Sequence, residues 1–337
     1  MRMTGLLLIV LGGVMEGLFA LPMKFTPRWS WENIWAAGSL AALTLVPLPL
    51  VLLTVPHIGS IYASAPPSAI VLAVLFGAGW GWGGVFFGLG VSTLGLSMGT
   101  SLIMGLIAIG GSLIPMLLQH GDQLMTGGGA ALLIGIGIMF VGLAICARAG
   151  SLRGGNRKPA CSSRSPFALG IFYCAAAGLL SALVNLALIF GEPIAKPALS
   201  QGLDLSTANN TVWALVFTSN YLVNLGFCIF KSVREKTLHK FFLPSTAWYW
   251  LLAVVMGILW AGGIVIYGRG ASMEGVYGPI FGFPIMLAVS ILTGNLVGAV
   301  GGEWRGSPAR ARYTMTFGLS IMLLAIATLG YGTYLIR

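Results

Sequence analysis

Charge is what this sequence has least of. Only 8% of its 337 residues are Asp, Glu, Lys or Arg, and 8 residues in all are acidic. A soluble domain carries roughly a quarter charged residues, so this chain cannot cover a water-facing surface. Histidine is scarce too. His57, His120 and His239 are scattered and match no metal-ligand spacing, so no metal site is expected. The four cysteines, Cys146, Cys161, Cys174 and Cys228, form no CxxC pair. Three of them lie in or beside apolar runs and read as buried thiols rather than disulfides or ligands. Alternation of polar and apolar residues over about ten positions, the mark of a transmembrane barrel, is absent. No polar stretch is long enough for a soluble catalytic domain, which excludes an enzyme of the usual kind and implies no cofactor.

What is present is apolar sequence in long runs. The chain is 57% hydrophobic, with a mean hydropathy of +0.93. Runs of about 20 residues match a hydrocarbon core of ~30 Å at 1.5 Å rise per residue. The expected fold is an all-α polytopic membrane protein with ten spans at 4–22, 34–54, 68–90, 97–118, 130–148, 167–190, 208–230, 247–267, 278–301 and 313–335. Connections are short except at 149–166, a Gly/Pro/Ser-rich stretch that divides the chain into halves, 1–148 and 167–337. The net charge of +10 does not point to nucleic acid, because the basic residues sit in short loops. All but Arg2, Lys196, Arg269 and Arg337 of the 18 Lys and Arg follow odd-numbered spans. The positive-inside rule therefore puts those loops in the cytoplasm and both termini in the periplasm. The first run lacks an A-x-A site and is followed by basic residues, so it reads as a retained helix rather than a leader.

The halves share a pattern. Trp80–Gly95 (W-G-W-G-G-V-F-F-G-L-G-V-S-T-L-G) aligns with Trp260–Gly275 (W-A-G-G-I-V-I-Y-G-R-G-A-S-M-E-G) at constant offset. Trp80, Gly83, Gly88, Gly90, Ser92 and Gly95 meet identical residues, and Phe87 meets Tyr267. F-A-L-P-M-K at Phe19–Lys24 is similar to F-G-E-P-I-A-K at Phe190–Lys196, and I-G-I-G-I-M at Ile134–Met139 to F-G-L-S-I-M at Phe317–Met322. Five spans per half means the second half enters the membrane inverted. Two inverted five-helix repeats are the sequence mark of a secondary transporter.

Glu16 is the one carboxylate deep inside an expected span. A charge at membrane depth costs at least a few kcal/mol, so such residues face a cavity, pair, or stay neutral. Glu16 is either a proton-coupling group or a neutral acid bonded between helices. Gly12 and Gly13, four and three residues earlier, leave little bulk on its face and room for water or substrate. Glu274 and Glu303, at the two ends of span 9, read as interface groups.

In span 7, Trp213, Asn220 and Asn224 share one helical face; Asn185 lies in span 6 and Asn295 in span 9. Amides in spans either bond neighbouring helices or serve a polar cavity. Amides together with aromatic faces suit a neutral sugar, bonding its hydroxyls and covering the C–H side of its ring. Trp80 with Phe87, and Trp260 with Tyr267, form aromatic faces one above the other, packing or cavity-lining. Trp82 lies in the same Gly-rich stretch. Trp29, Trp31, Trp35 and Trp248, near span ends, read as interfacial anchors. The glycines of span 3 permit close helix approach and bending, while Pro22, Pro193 and Pro284 are candidate hinges, the first two ending spans 1 and 6.

These residues resemble the L-rhamnose–proton symporter family of the drug/metabolite transporter superfamily. The likeness lies in W-S-W-E-N-I-W (Trp29–Trp35), F-G-A-G-W-G-W-G (Phe76–Gly83), L-G-L-S-M-G (Leu94–Gly99) and N-L-G-F-C (Asn224–Cys228). It returns in Gly294, Gly298, Glu303 and Trp304. The resemblance implies ten helices in two inverted repeats, inner-membrane location and uptake of a deoxy sugar with protons. Of the polar candidates only Asn224 falls inside a matched motif; Glu16, Asn185, Asn220 and Asn295 do not.

The expected partners are a small neutral sugar, protons and the lipid bilayer, with no nucleic acid. Glu16 is the expected proton-coupling residue. Trp80, Trp82, Asn185, Trp213, Asn220, Asn224, Trp260, Tyr267 and Asn295 are the expected substrate-binding set. A proton-antiporting exporter of drugs or metabolites is the alternative, since small multidrug transporters of the superfamily use a first-helix Glu. A non-transporting scaffold would leave the acid and the repeat unexplained.

Overall fold

A computed structural model describes residues 3–94, 96–153, 164–302 and 304–335. Most of the loop 149–166, including Cys161, lies outside the described residues, as do Gly95 and Glu303. The helices are α1 (Met3–Leu18), α2 (Trp31–Leu40), α3 (Pro47–Thr54), α4 (Ile58–Ser64), α5 (Pro67–Leu94), α6 (Leu96–His120), α7 (Gly127–Arg153), α8 (Arg164–Ser200), α9 (Leu205–Arg234), α10 (Ala247–Met273), α11 (Gly278–Val300) and α12 (Ala309–Leu335).

Nine candidate membrane spans occur among the described residues, together with a shorter apolar stretch, Leu102–Leu118, in α6. Their positions follow the apolar runs closely, because backbone N–H and C=O groups must be satisfied within the segment where no water reaches them. Span 2 is made of α2 and α3 joined by a π-helical turn at Ala41–Leu45, where Val46 N–H bonds Ala41 O at 3.0 Å. Pro47 follows directly. It has no N–H to donate and its ring crowds the carbonyl one turn back, and a wider turn accommodates both defects. Pro193 does not end span 6. Helix α8 runs through Pro193 and Pro197 to Ser200, so each proline interrupts its hydrogen bonding without stopping the helix.

Asp204 caps α9. Its carboxylate accepts from Ser206 N–H, Thr207 N–H and the Thr207 hydroxyl, at 3.0, 3.2 and 2.6 Å. The hydroxyl bond above all holds this carboxyl below the usual Asp range.

The chain forms two compact units, and each draws on both halves of the sequence. Unit 1 comprises 1–17, 83–182 and 267–337, and unit 2 comprises 18–82 and 183–266. The core of unit 1 is built around Ile9, Ile103, Met116, Leu132, Phe281, Ile285 and Leu329. Helices α7 and α12 approach closely in it: a Cβ on Gly318 would lie 2.6 Å from Cys146 Sγ, and one on Gly135 2.6 Å from Leu329 Cγ. Small residues let helices meet at backbone distance, where dispersion replaces the hydrophobic drive that lipid does not supply. In unit 2, Gly77 and Gly81 of α5 play the same part against α9. A Cβ on Gly81 would sit 2.8 Å from Val223 Cβ and 2.9 Å from Asn220 O.

Candidate functional site

Unit 2 gathers an aromatic cluster from α5, α9 and α10. Phe217 is buried at its centre, with its ring centroid 4.9 Å from Trp213, 5.8 Å from Trp260 and 6.1 Å from Trp80. Trp80 and Trp260, the repeat-related pair, stand 5.6 Å apart at 31°. Three of the expected tryptophans therefore meet, and the residue that joins them, Phe217, was not singled out from sequence. Its signal was available: Phe217 lies one helical turn after Trp213 and three residues before Asn220, on the same face.

The amides follow on α9. Asn224 Nδ2 donates to Asn220 Oδ1 at 2.7 Å, and Asn224 Oδ1 accepts from Trp35 Nε1 at 2.9 Å. Trp35 is thus held inside unit 2, stacked on Trp31 with centroids 5.2 Å apart, rather than acting as an interfacial anchor. Trp29 departs from that expectation as well. It is buried with Phe241, Tyr249 and Trp250 edge-on around it at 5.4–5.5 Å. Trp31 and Trp248 remain exposed, as lipid-interface residues would be.

The other candidates are not members of this cluster. Trp82 is 47% exposed. Asn185 is buried on α8. Tyr267 and Asn295 belong to unit 1: Tyr267 packs on Phe283 in the apolar core, and Asn295 Nδ2 bonds Ile291 O at 2.9 Å on its own helix.

Glu16 lies in unit 1 on α1, and its Oε1 is sealed from solvent with no hydrogen-bond partner among the described residues. Gly13 does not leave room beside it. A Cβ on Gly13 would lie 2.7 Å from Met286 O, and one on Gly17 2.6 Å from Ser290 O, so both glycines are spent on close contact with α11. The space that Gly13 was expected to leave is filled by a helix.

Glu16 is half-buried, and a second acid is more fully enclosed. Glu32, 3% exposed at the start of α2, accepts from the Thr237 hydroxyl at 2.6 Å and pairs with Lys231 at 3.6 Å. Beside it, Asn33 Nδ2 donates to Thr237 O, and Lys240 Nζ donates to Ser30 Oγ. This network joins the entry of α2 to the segment after α9. Its two buried-acid contacts leave Glu32 satisfied, in contrast to Glu16. Removing one partner of a buried pair strands the other charge, at a cost of about 3–5 kcal/mol when fully buried and less here because Lys231 is partly exposed. Lys231→Met should lower the melting temperature, and adding Glu32→Gln should restore most of the loss. A double variant no more stable than Lys231→Met would show that the pair does not hold these elements.

Among the described residues no three of His, Cys, Asp or Glu come together as a metal site would require. The L-rhamnose-proton symport protein (RhaT) family profile matches residues 2–334. L-rhamnose-proton symporters of Escherichia coli O1:K1 / APEC and of Shigella boydii serotype 18 are each 27% identical over 332 residues, covering 96% of this chain and 96% of the relative. A protein crystal structure 14% identical in sequence covers 97% of this chain and 96% of its own at a TM-score of 0.58, a likeness of fold. The match runs through the segments that build the aromatic–amide cluster and through the helix that carries Glu16, and the chain belongs to the L-rhamnose-proton symport protein family, whose members are transporters and not enzymes.

Proposed function

We propose that this protein imports a small neutral sugar, L-rhamnose or a related monosaccharide, together with a proton by alternating access. The observation that carries this reading is the aromatic–amide cluster of unit 2. Three indole rings around Phe217, with Asn220 and Asn224 on the same face of α9, offer flat apolar surface beside neutral hydrogen-bonding groups. A sugar ring presents the same pairing of C–H face and hydroxyl edge. Among the described residues of α5, α9 and α10, Lys and Arg occur only at Lys231 and Arg234 in the last turn of α9 and at Arg269 near the end of α10, and none lies between the ring and amide positions to neutralise a phosphate or carboxylate. The family membership adds weight to import with protons and does not favour the exporter alternative. In proteoliposomes, counterflow of labelled L-rhamnose with inward movement of protons is the expected result. Uptake of a phosphorylated sugar with none of any free sugar would sink the reading.

Glu16 is the proposed proton site. A carboxyl with a sealed, unpartnered oxygen is stable as the neutral acid and costly as the anion, so its protonation state biases which conformation is favoured.

The architecture we propose has ten spans, with α6 supplying the fourth, in two inverted repeats of five. In support, each compact unit takes corresponding pieces of both halves: the first parts of spans 1 and 6 belong to unit 1, and the first parts of spans 3 and 8 to unit 2. The halves, 1–148 and 167–337, are thus halves of the repeat rather than separate folding units. We further propose an inner-membrane location with both termini periplasmic. Cysteine introduced at His239 should resist impermeant thiol reagents in intact cells, while cysteine at Gly127 should react, in a background without native cysteines. The opposite pattern would invert the topology.

A further inference from the structure

Trp35, Asn224 and Asn220 form a chain of hydrogen bonds whose direction is set at both ends, by an indole that only donates and by the Asn220 backbone carbonyl that only accepts. An indole N–H only donates. Trp35 Nε1, 2.9 Å from Asn224 Oδ1, therefore requires the oxygen of that amide to face it. The ambiguity between amide O and N that usually attends asparagine is removed here. Asn224 Nδ2 then points to Asn220, donating to its Oδ1 at 2.7 Å and its backbone O at 3.1 Å. Asn224 is consequently fully committed. Asn220 must turn its oxygen to Asn224 and its NH2 group the other way.

That NH2 group makes no hydrogen bond among the described residues, although Asn220 is only 5% exposed. Nor is it sealed off as Glu16 Oε1 is. Asn220 is also held in place, since the backbone of α5 at Gly81 packs directly on it. On α9 it follows Phe217 by three residues, on the face that carries the aromatic cluster.

We infer that Trp35 and Asn224 are positioning residues that fix the polarity of Asn220, so that the sugar site receives N–H donors and no acceptor from it. This inference rests on the proposed sugar function. It makes Asn220 specific for a sugar oxygen acting as acceptor, and it gives Asn224 an indirect role in place of a direct contact.

The test uses sugars in which single hydroxyls are replaced by fluorine, which accepts weakly and cannot donate, or by hydrogen, which does neither. Binding is measured by competition on the full-length protein in lipid nanodiscs. At one ring position of the transported sugar, the fluoro analogue should bind the unmodified protein about fivefold more tightly than the deoxy analogue, as one neutral hydrogen bond allows. Asn224→Asp reverses the relay. Binding is compared across pH: once ionised, the introduced carboxylate accepts from Trp35 and from Asn220, whose carbonyl must then face the site, whereas the neutral acid would donate to Asn220 and leave the direction unchanged. On ionisation the fluoro preference should vanish, while the parent sugar, whose hydroxyl can donate instead, still binds. Trp35→Phe removes one of the two groups that set the direction, leaving the Asn220 backbone carbonyl as the other, and should shrink the preference without abolishing it. Plain structural damage would weaken parent, fluoro and deoxy sugars alike.

A preference undiminished in both variants, or absent at every position of the unmodified protein, would overturn the relay while leaving sugar transport intact. Failure of the unmodified protein to bind any sugar would remove the functional reading itself. A readout independent of sugar is the indole N–H resonance of Trp35, identified by its loss in Trp35→Phe. It should exchange slowly and shift on Asn224→Asp, whereas rapid exchange in the unmodified protein would show that no such bond exists.

Discussion

Glu16→Gln should abolish accumulation of sugar against its gradient while leaving sugar binding and exchange in place. The amide keeps the size of the carboxyl and most of its hydrogen-bonding capacity, but it has no proton to release. Glu16 Oε1 is closed off from solvent without a partner among the described residues, so a charge on it would be uncompensated by them in an environment that penalises it by a few kcal/mol. Under the proposed role, such a carboxyl stays neutral while closed off and ionises when water reaches it. The proposed role thereby links proton release to conformation, so that a ligand favouring one conformation changes the apparent proton affinity of the protein. The Glu16→Gln variant should therefore exchange labelled for unlabelled sugar at rates within about tenfold of the unmodified protein, with no dependence on a pH gradient. If the role of Glu16 were only to bridge helices, the variant would express poorly, and whatever protein survived would remain coupled. A well-folded Glu16→Gln variant that still concentrates sugar on a proton gradient would place the proton elsewhere.

Spans and pairings were unequally visible in the sequence. An apolar run of the right length is a local signal set by bilayer thickness. Among the described residues, nine spans and the Leu102–Leu118 stretch accordingly end within about six residues of their expected places, apart from the α8 extension past Pro193. The long-range partners were invisible. Trp35 read as an anchor because it lies near a span end, yet its N–H is satisfied by Asn224, 189 residues away. Glu32 drew no attention beside Glu16, and its partner Thr237 is 205 residues distant. Glycine patterns stood between these cases. The glycines of α5 announced a close helix approach, but only the fold shows that α9 meets Gly77 and Gly81 while α8 meets Gly83 and Gly90. At Gly13 the same absence of bulk suggested space for water, where the structure puts the backbone of α11. A missing side chain says that something comes near; it does not say what.

The aromatic cluster carries the second large effect. Phe217 and the three indoles play different parts, and truncation should separate them. Phe217 is buried at the centre, touching Trp80, Trp213 and Trp260, so Phe217→Ala removes a core ring and leaves a cavity. The expected loss is about 3–5 kcal/mol of stability, with sugar binding lost as a consequence of the collapsed indole arrangement. Trp80 and Trp260 are only partly buried, so each keeps ring surface that Phe217 does not cover. Trp80→Leu and Trp260→Leu preserve apolar bulk but remove the flat face that a sugar ring needs. Each should weaken sugar binding at least tenfold, or about 1.4 kcal/mol, with a much smaller change in melting temperature than Phe217→Ala. Restoring an aromatic ring with Trp260→Phe should recover part of the affinity, because a face remains although its area is smaller. Equal loss of stability and of binding in all these variants would mean the tryptophans only pack the core. Unchanged sugar affinity in stable Trp80→Leu and Trp260→Leu proteins would move the sugar site away from this cluster altogether.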